Sequence, residues 1–133
     1  MPQGRGNRVK LLLDTNAFVR WMAGTALPRP VERELSRSQT QIFISIVTAW
    51  EIVMKRALNR NAAEVEEAVV ELGATLLPIK FAHLDELSRL PLFENHRDPF
   101  DRMLIAQALA EDVPIVSSDM RFGAYKRLRV LWD

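Results

Sequence analysis

The 133-residue chain contains no cysteine and only two histidines. The first absence excludes disulfides, thiolate metal sites and cysteine nucleophiles, and it suits a reducing cytoplasm, where the protein is expected to reside. The two histidines, His83 and His96, show no zinc-ligand spacing and read as surface or packing residues. The glycines are few and scattered, at 4, 6, 24, 73 and 123, so neither a phosphate-cradling P-loop nor a dinucleotide fingerprint is present. No serine stands in a nucleophile elbow. Nothing approaches the ~18 uncharged residues of a membrane span. Asp14 breaks the apolar run that follows Arg5, Arg8 and Lys10 after three leucines, so neither a signal peptide nor a membrane partner is expected.

What is present is a charge balance with an internal asymmetry. Eighteen basic residues face 17 acids, a formal net charge of +1. Setting aside Asp14, Glu51, Asp101 and Asp119, gathered below into one cluster, leaves a surplus of positive charge elsewhere. Most of the basic residues are arginines, the side chain that grips phosphate bidentately, which points to a phosphate-rich partner. Arg121, Lys126, Arg127 and Arg129 near the C-terminus are candidates to line its path.

The length suits one domain. Residues 1–8 lack apolar periodicity and read as a flexible N-terminal tail, and residues 9–133 read as a single folded unit. Leu11, Leu12 and Leu13 form a buried strand that ends in Asp14-Thr15-Asn16. Ala17 to Ala23 then continue as a helix stopped by Gly24. Pro30 opens a second helix, and Thr40 to Ser45 is a second strand. Ser45 caps a long helix over Ile46 to Leu58. Its expected buried stripe is Ile46, Val47, Trp50, Val53, Met54, Ala57 and Leu58, with Glu51 at the border. Helices over Asn61–Leu72 and Phe81–Leu90 flank a strand over Ala74–Ile79. Asp98-Pro99-Phe100-Asp101 carries every start signal for an apolar helix. Val113 to Ser118 is a strand ending in Asp119, which repeats the pattern of Asp14, and Arg127 to Trp132 is the last strand. Strands alternating with helices define an α/β class, a three-layer α/β/α domain with a mainly parallel central sheet.

Each acid has a plain structural reading. Asp14 and Asp98 suit helix caps, Glu51 suits an i,i+4 pair with Lys55, and Asp101 suits a helix N-terminus. Together they say more, because ligands in open α/β sheets collect beyond the carboxyl ends of strands. Carboxylates that converge repel by about 4 kcal/mol per pair at 4 Å and an effective dielectric near 20. They therefore bind protons or a hard cation, and Mg²⁺ or Mn²⁺ suits all-oxygen ligands, with Asn16 or Ser117 as neutral helpers. Such an ion supports hydrolysis of a phosphodiester, so the chemistry is that of a nuclease.

Four fragments, Leu12-Leu13-Asp14-Thr15-Asn16, Ser45-Ile46-Val47-Thr48-Ala49-Trp50-Glu51, His96 to Ala108 and Ser117 to Tyr125, resemble in order and spacing the PIN-domain ribonucleases, and within them the VapC-type toxins of toxin–antitoxin pairs. The resemblance covers Val9 to the C-terminus. It implies a PIN-like fold, Mg²⁺-dependent endonucleolytic cleavage of RNA, and catalytic and metal-site roles for Asp14, Glu51, Asp101 and Asp119. Asp98 and Arg102 would flank Asp101 and orient it or contact phosphate. Thr15 and Asn16 would brace the site, and Ser117 stands where the family often has threonine. The family also implies a homodimer and a cognate antitoxin that occupies the active-site groove. A housekeeping RNA-processing PIN nuclease and a PIN-like module that binds RNA or protein without cutting are the alternatives.

Overall fold

A computed structural model describes residues 9–133; the tail expected over residues 1–8 lies outside the described residues. β1 (Lys10–Leu13) leads into α1 (Thr15–Met22) and α2 (Arg29–Ser36), then β2 (Gln41–Ser45), α3 (Ile46–Met54) and α4 (Ala62–Glu71). β3 (Thr75–Leu77), α5 (Phe81–Ser88), α6 (Pro99–Glu111), β4 (Ile115–Val116) and β5 (Val130–Leu131) complete the order, with 3-10 turns at Arg56–Leu58 and Met120–Ala124. The strands form one sheet in the order β3-β2-β1-β4-β5, and every pairing is parallel.

Period-two alternation divides the strands between two helical layers. Leu12 and Ile115 face a core built with Leu104, Ile105 and Ala108 of α6 and with Phe122. Leu11, Leu13, Ile42, Ile44 and Val116 face the opposite core, filled by Phe18 of α1, Val31 of α2 and Val65 and Val69 of α4. These two cores make the three-layer α/β/α architecture expected from the alternation of strands and helices.

The chain builds the sheet outward from β1 through β2 to β3, then crosses back to lay β4 on the other side of β1. This reversal creates a switch point between β1 and β4, where the outgoing connections diverge and leave a crevice beyond the strand ends. Leu13 pairs with Val116, and the Asp14 backbone N–H donates to Val116 O at 3.0 Å. The residues that follow the two strands therefore emerge side by side.

The Ser45 cap acts where it was read, and the start of α4 adds a capping box that was not. Ser45 Oγ accepts from the Val47 N–H at 3.0 Å, and Asn61 and Glu64 form a reciprocal capping box. Gly24 and Gly73 adopt φ of +72° and +69° just past helix ends, the left-handed conformation that glycine adopts without strain.

α3 departs from expectation in length and phase. It stops at Met54, and its buried residues are Val47, Thr48, Glu51 and Ile52. Trp50, Val53 and Met54 of the expected stripe are exposed, Trp50 at 55%. The physical reason is that apolar residues surround this helix nearly completely, so periodicity cannot choose a face. The choice is made by packing: α3 contacts α1, α4 and α6, with Val47 in one core and Ile52 in the other. Thr48 Oγ1 shares a buried hydrogen bond of 3.1 Å with Thr15 Oγ1, which ties α3 to the start of α1.

Candidate active site

Beyond the carboxyl ends of β1 and β4 lies a cleft of about 530 Å³ that contains all four predicted acids. Asp14, Thr15, Asn16 and Val19 come from the end of β1 and from α1. Glu51 and Lys55 come from α3 and its end, Asp98 and Asp101 from the start of α6, and Ser118, Asp119 and Arg121 from the segment after β4. The topology explains the convergence. Two acids follow adjacent parallel strands, one rides the helix that straddles both cores, and one opens the helix packed against it.

Asp14 is both cap and cleft residue. Its Oδ1 accepts from the Ala17 N–H at 2.8 Å, and the residue is 5% exposed. Burial raises its carboxyl from 3.8 to about 6; hydrogen bonds from Ser117 and the Ala17 N–H oppose the shift, and the charges of Asp101 and Asp119 add to it. Burial also raises Asp101, against the pull of a hydrogen bond from His96. Asp119 moves the other way. Arg121 grips it through Nη2 at 2.7 Å and Nε at 3.0 Å, and this guanidinium holds its carboxyl below the usual range.

Glu51 is deeper than the border position expected, at 4% exposed. Its Oε2 pairs with Lys55 Nζ at 2.6 Å, the i,i+4 pair that the sequence suggested, and that bond raises the Lys55 ammonium. Its Oε1 is buried without a hydrogen-bond partner. A buried carboxylate oxygen left unpaired is costly unless a proton or a cation meets it. Asp98 Oδ1 accepts from the Asp101 N–H at 2.9 Å, so Asp98 orients the third acid through its backbone. The donor set fits a hard divalent ion: four carboxylates around one cleft, one of them carrying an orphaned buried oxygen, with neutral hydroxyls beside them. Among the described residues, one ligand atom from each of His96, Asp101 and Asp119 lies within 4.8 Å of the others.

The supporting residues divide. Thr15 braces α1 against α3, and Asn16 lines the cleft. Ser117 is buried; its Oγ accepts from the Asp119 N–H at 3.1 Å, and its hydroxyl also stabilises the Asp14 carboxylate at the end of β1. Arg102 turns away from the acids: its Nη1 donates to Pro91 O at 2.7 Å and to Tyr125 Oη at 3.5 Å. Of the C-terminal cations expected along a phosphate path, Arg121 lines the cleft. Arg127 instead pairs with Glu86 and Arg129 with Asp112.

Neither histidine is a surface residue. His83 is buried against Glu111, 2.7 Å from its Nε2, and accepts from the Lys80 N–H through Nδ1. His96 is buried beside the cleft and bonded to Asp101. Only its place at the head of the fragment His96 to Ala108, five residues ahead of Asp101, marked it, because a single histidine has no periodicity to read.

The PIN-domain family model matches residues 11–128, and the chain belongs to this family. No curated protein matches it significantly. Solved structures share the fold. VapBC2 from Rickettsia felis bound to a promoter DNA fragment is 16% identical, covering 94% of this chain and 100% of that one at a TM-score of 0.68. DNA-bound VapBC from Salmonella typhimurium is 18% identical, covering 92% and 97% at 0.67. FitAcB from Neisseria gonorrhoeae is 18% identical, covering 91% and 96% at 0.64.

Proposed function

We propose that this protein is the toxin of a toxin–antitoxin pair, a cytoplasmic endoribonuclease that cleaves RNA phosphodiesters with Mg²⁺ or Mn²⁺ held by Asp14, Glu51, Asp101 and Asp119. The observation that carries the reading is the convergence of these four acids in one cleft at the switch point of a PIN domain. Neighbours solved as toxin–antitoxin complexes support the biological role. A bound divalent ion supplies a more acidic water and neutralises charge that builds up on the phosphodiester.

The chain's own residues do the rest. Asp14, fixed by the Ala17 N–H and Ser117, presents a carboxylate whose position does not depend on the ligand. Lys55 holds Glu51 Oε2 in an ion pair that a stronger counter-charge in the cleft would displace. Arg121 at the rim is the cation placed to meet the phosphate backbone, in exchange for its contact with Asp119. A cognate antitoxin and a second copy of the chain are the protein partners, and exposed apolar side chains such as Trp50, Met54 and Val70 offer surface for them.

The test uses the chain freed of any antitoxin. Wild type cuts RNA in Mg²⁺ or Mn²⁺, whereas a folded Asp14→Asn variant leaves it intact. Intact RNA with wild type, together with no metal binding, overturns the proposal, and so does undiminished cleavage by the variant.

A further inference from the structure

His96 sits in an aromatic box. Its ring centroid lies 5.3 Å from that of Phe122 and 5.6 Å from that of Tyr125, and Phe93 packs edge-on against Tyr125 at 5.0 Å. The side chain is 1% exposed, so both ring nitrogens must find partners within the protein. Nδ1 lies 3.0 Å from Tyr125 Oη, and Nε2 lies 3.1 Å from Asp101 Oδ2.

These contacts fix the direction of a hydrogen-bond chain. An ionised Asp101 offers only lone pairs, so Nε2 must carry the proton and donate it. With the proton on Nε2, Nδ1 is the acceptor and takes the Tyr125 hydroxyl hydrogen. The Tyr125 oxygen in turn accepts from Arg102 Nη1 at 3.5 Å, and the guanidinium is anchored on Pro91 O at 2.7 Å. The chain runs from Arg102 through Tyr125 and His96 to Asp101, and each donor is oriented by the one behind it. It starts from a permanent positive charge and ends on one of the two carboxylate oxygens, leaving the other for the contents of the cleft.

We propose that His96 is a positioning residue, which fixes the Asp101 carboxylate for the divalent ion through a relay that begins at Tyr125 and Arg102. This rests on the metal-dependent reading of the cleft and deepens it. The arrangement also gives Arg102 a role at Asp101 without contact with phosphate. The Asp98 carboxylate holds the Asp101 backbone from one side, and His96 holds its side chain from the other. A carboxylate fixed at both ends loses little freedom on taking up an ion, which is why partners of this kind are commonly worth 10- to 100-fold in metal affinity.

The experiment compares wild type with His96→Phe, His96→Gln and Tyr125→Phe. It records Mn²⁺ affinity by titration calorimetry, thermal unfolding without metal, RNA cleavage, and the imidazole ¹⁵N shifts of the metal-free wild type. The ¹⁵N spectrum is expected to show His96 with the proton on Nε2 and Nδ1 as acceptor. His96→Phe fills the aromatic box but has no donor, and its Mn²⁺ affinity falls roughly 10- to 100-fold. His96→Gln returns an N–H to the Nε2 position and recovers most of that loss, and Tyr125→Phe loses a few-fold. A folded His96→Phe that binds Mn²⁺ like wild type overturns the proposal. A His96→Gln no better than His96→Phe also overturns it, by showing that ring packing alone mattered. If the histidine variants do not fold, Tyr125→Phe and the ¹⁵N spectrum decide, and a spectrum with the proton on Nδ1 is fatal. Wild type that binds no Mn²⁺ and cuts no RNA sinks the metal-dependent reading itself, and the relay's purpose with it.

Discussion

Asp14 performs two tasks that pull its carboxyl in opposite directions. As the cap of α1 it favours ionisation, because the Ala17 N–H and the helix N-terminus stabilise negative charge. As a buried member of an acidic cluster it resists ionisation, and burial wins, raising it from 3.8 to about 6. The native state therefore holds a proton that the unfolded chain has already released. This carboxyl costs the metal-free protein nothing below about pH 4, and the cost grows through pH 6 to about 3 kcal/mol. Asn caps a helix as well as Asp does, so Asp14→Asn should raise metal-free stability near pH 7.5 and have little effect near pH 3. Urea denaturation at the two pH values checks this, and an equal change at both contradicts it. Asp14→Ala loses the cap as well and should lie about 1 kcal/mol below the Asn variant throughout. The readings of Asp14 that the sequence offered are thus compatible: the residue caps α1 and also lines the acidic cleft. His96 was not legible, because its role depends on Tyr125 and Asp101 meeting it through the fold.

α3 shows what an element's position adds to its pattern. Its existence, its Ser45 cap and the Glu51–Lys55 pair were legible, since each is set within one or two turns. Its rotation was not, because nearly every face is apolar, and the Thr15–Thr48 bond and contacts with three helices select Glu51 for the interior. Thr48→Val removes one partner of that buried bond and leaves the Thr15 hydroxyl unpaired. It should cost about 1–2 kcal/mol, read as a lower thermal midpoint. Cleavage should fall far less than with Asp14→Asn, because α3 keeps its apolar anchors Val47 and Ile52. If Thr48→Val abolished cleavage while remaining folded, the bond would be setting the position of Glu51 rather than supporting it. The start of α6 was the most legible stretch, since Asp98, Pro99 and Asp101 form a self-contained start signal, and the helix begins at Pro99 with Asp98 as its cap.

For the molecule, the alternation of strands and helices gave both the class and the mainly parallel sheet. The strand order did not follow, because nothing local records that β4 returns to the far side of β1, and that return makes the cleft. Charge was legible in total but not in placement: Arg127 and Arg129 are committed to Glu86 and Asp112, and only Arg121 of that group lines the cleft. A homodimer, which the family resemblance implies, should give about twice the chain mass of 15.2 kDa in light scattering, and a monomer at micromolar concentration would remove that part of the account. The central claim is that four carboxylates share a divalent ion. Anomalous diffraction from a crystal soaked in Mn²⁺ tests it most directly. The account predicts a peak in the cleft in contact with Asp14 and Asp101, lost in an Asp14→Asn crystal; a fully soaked wild-type crystal with no manganese among these acids would contradict it.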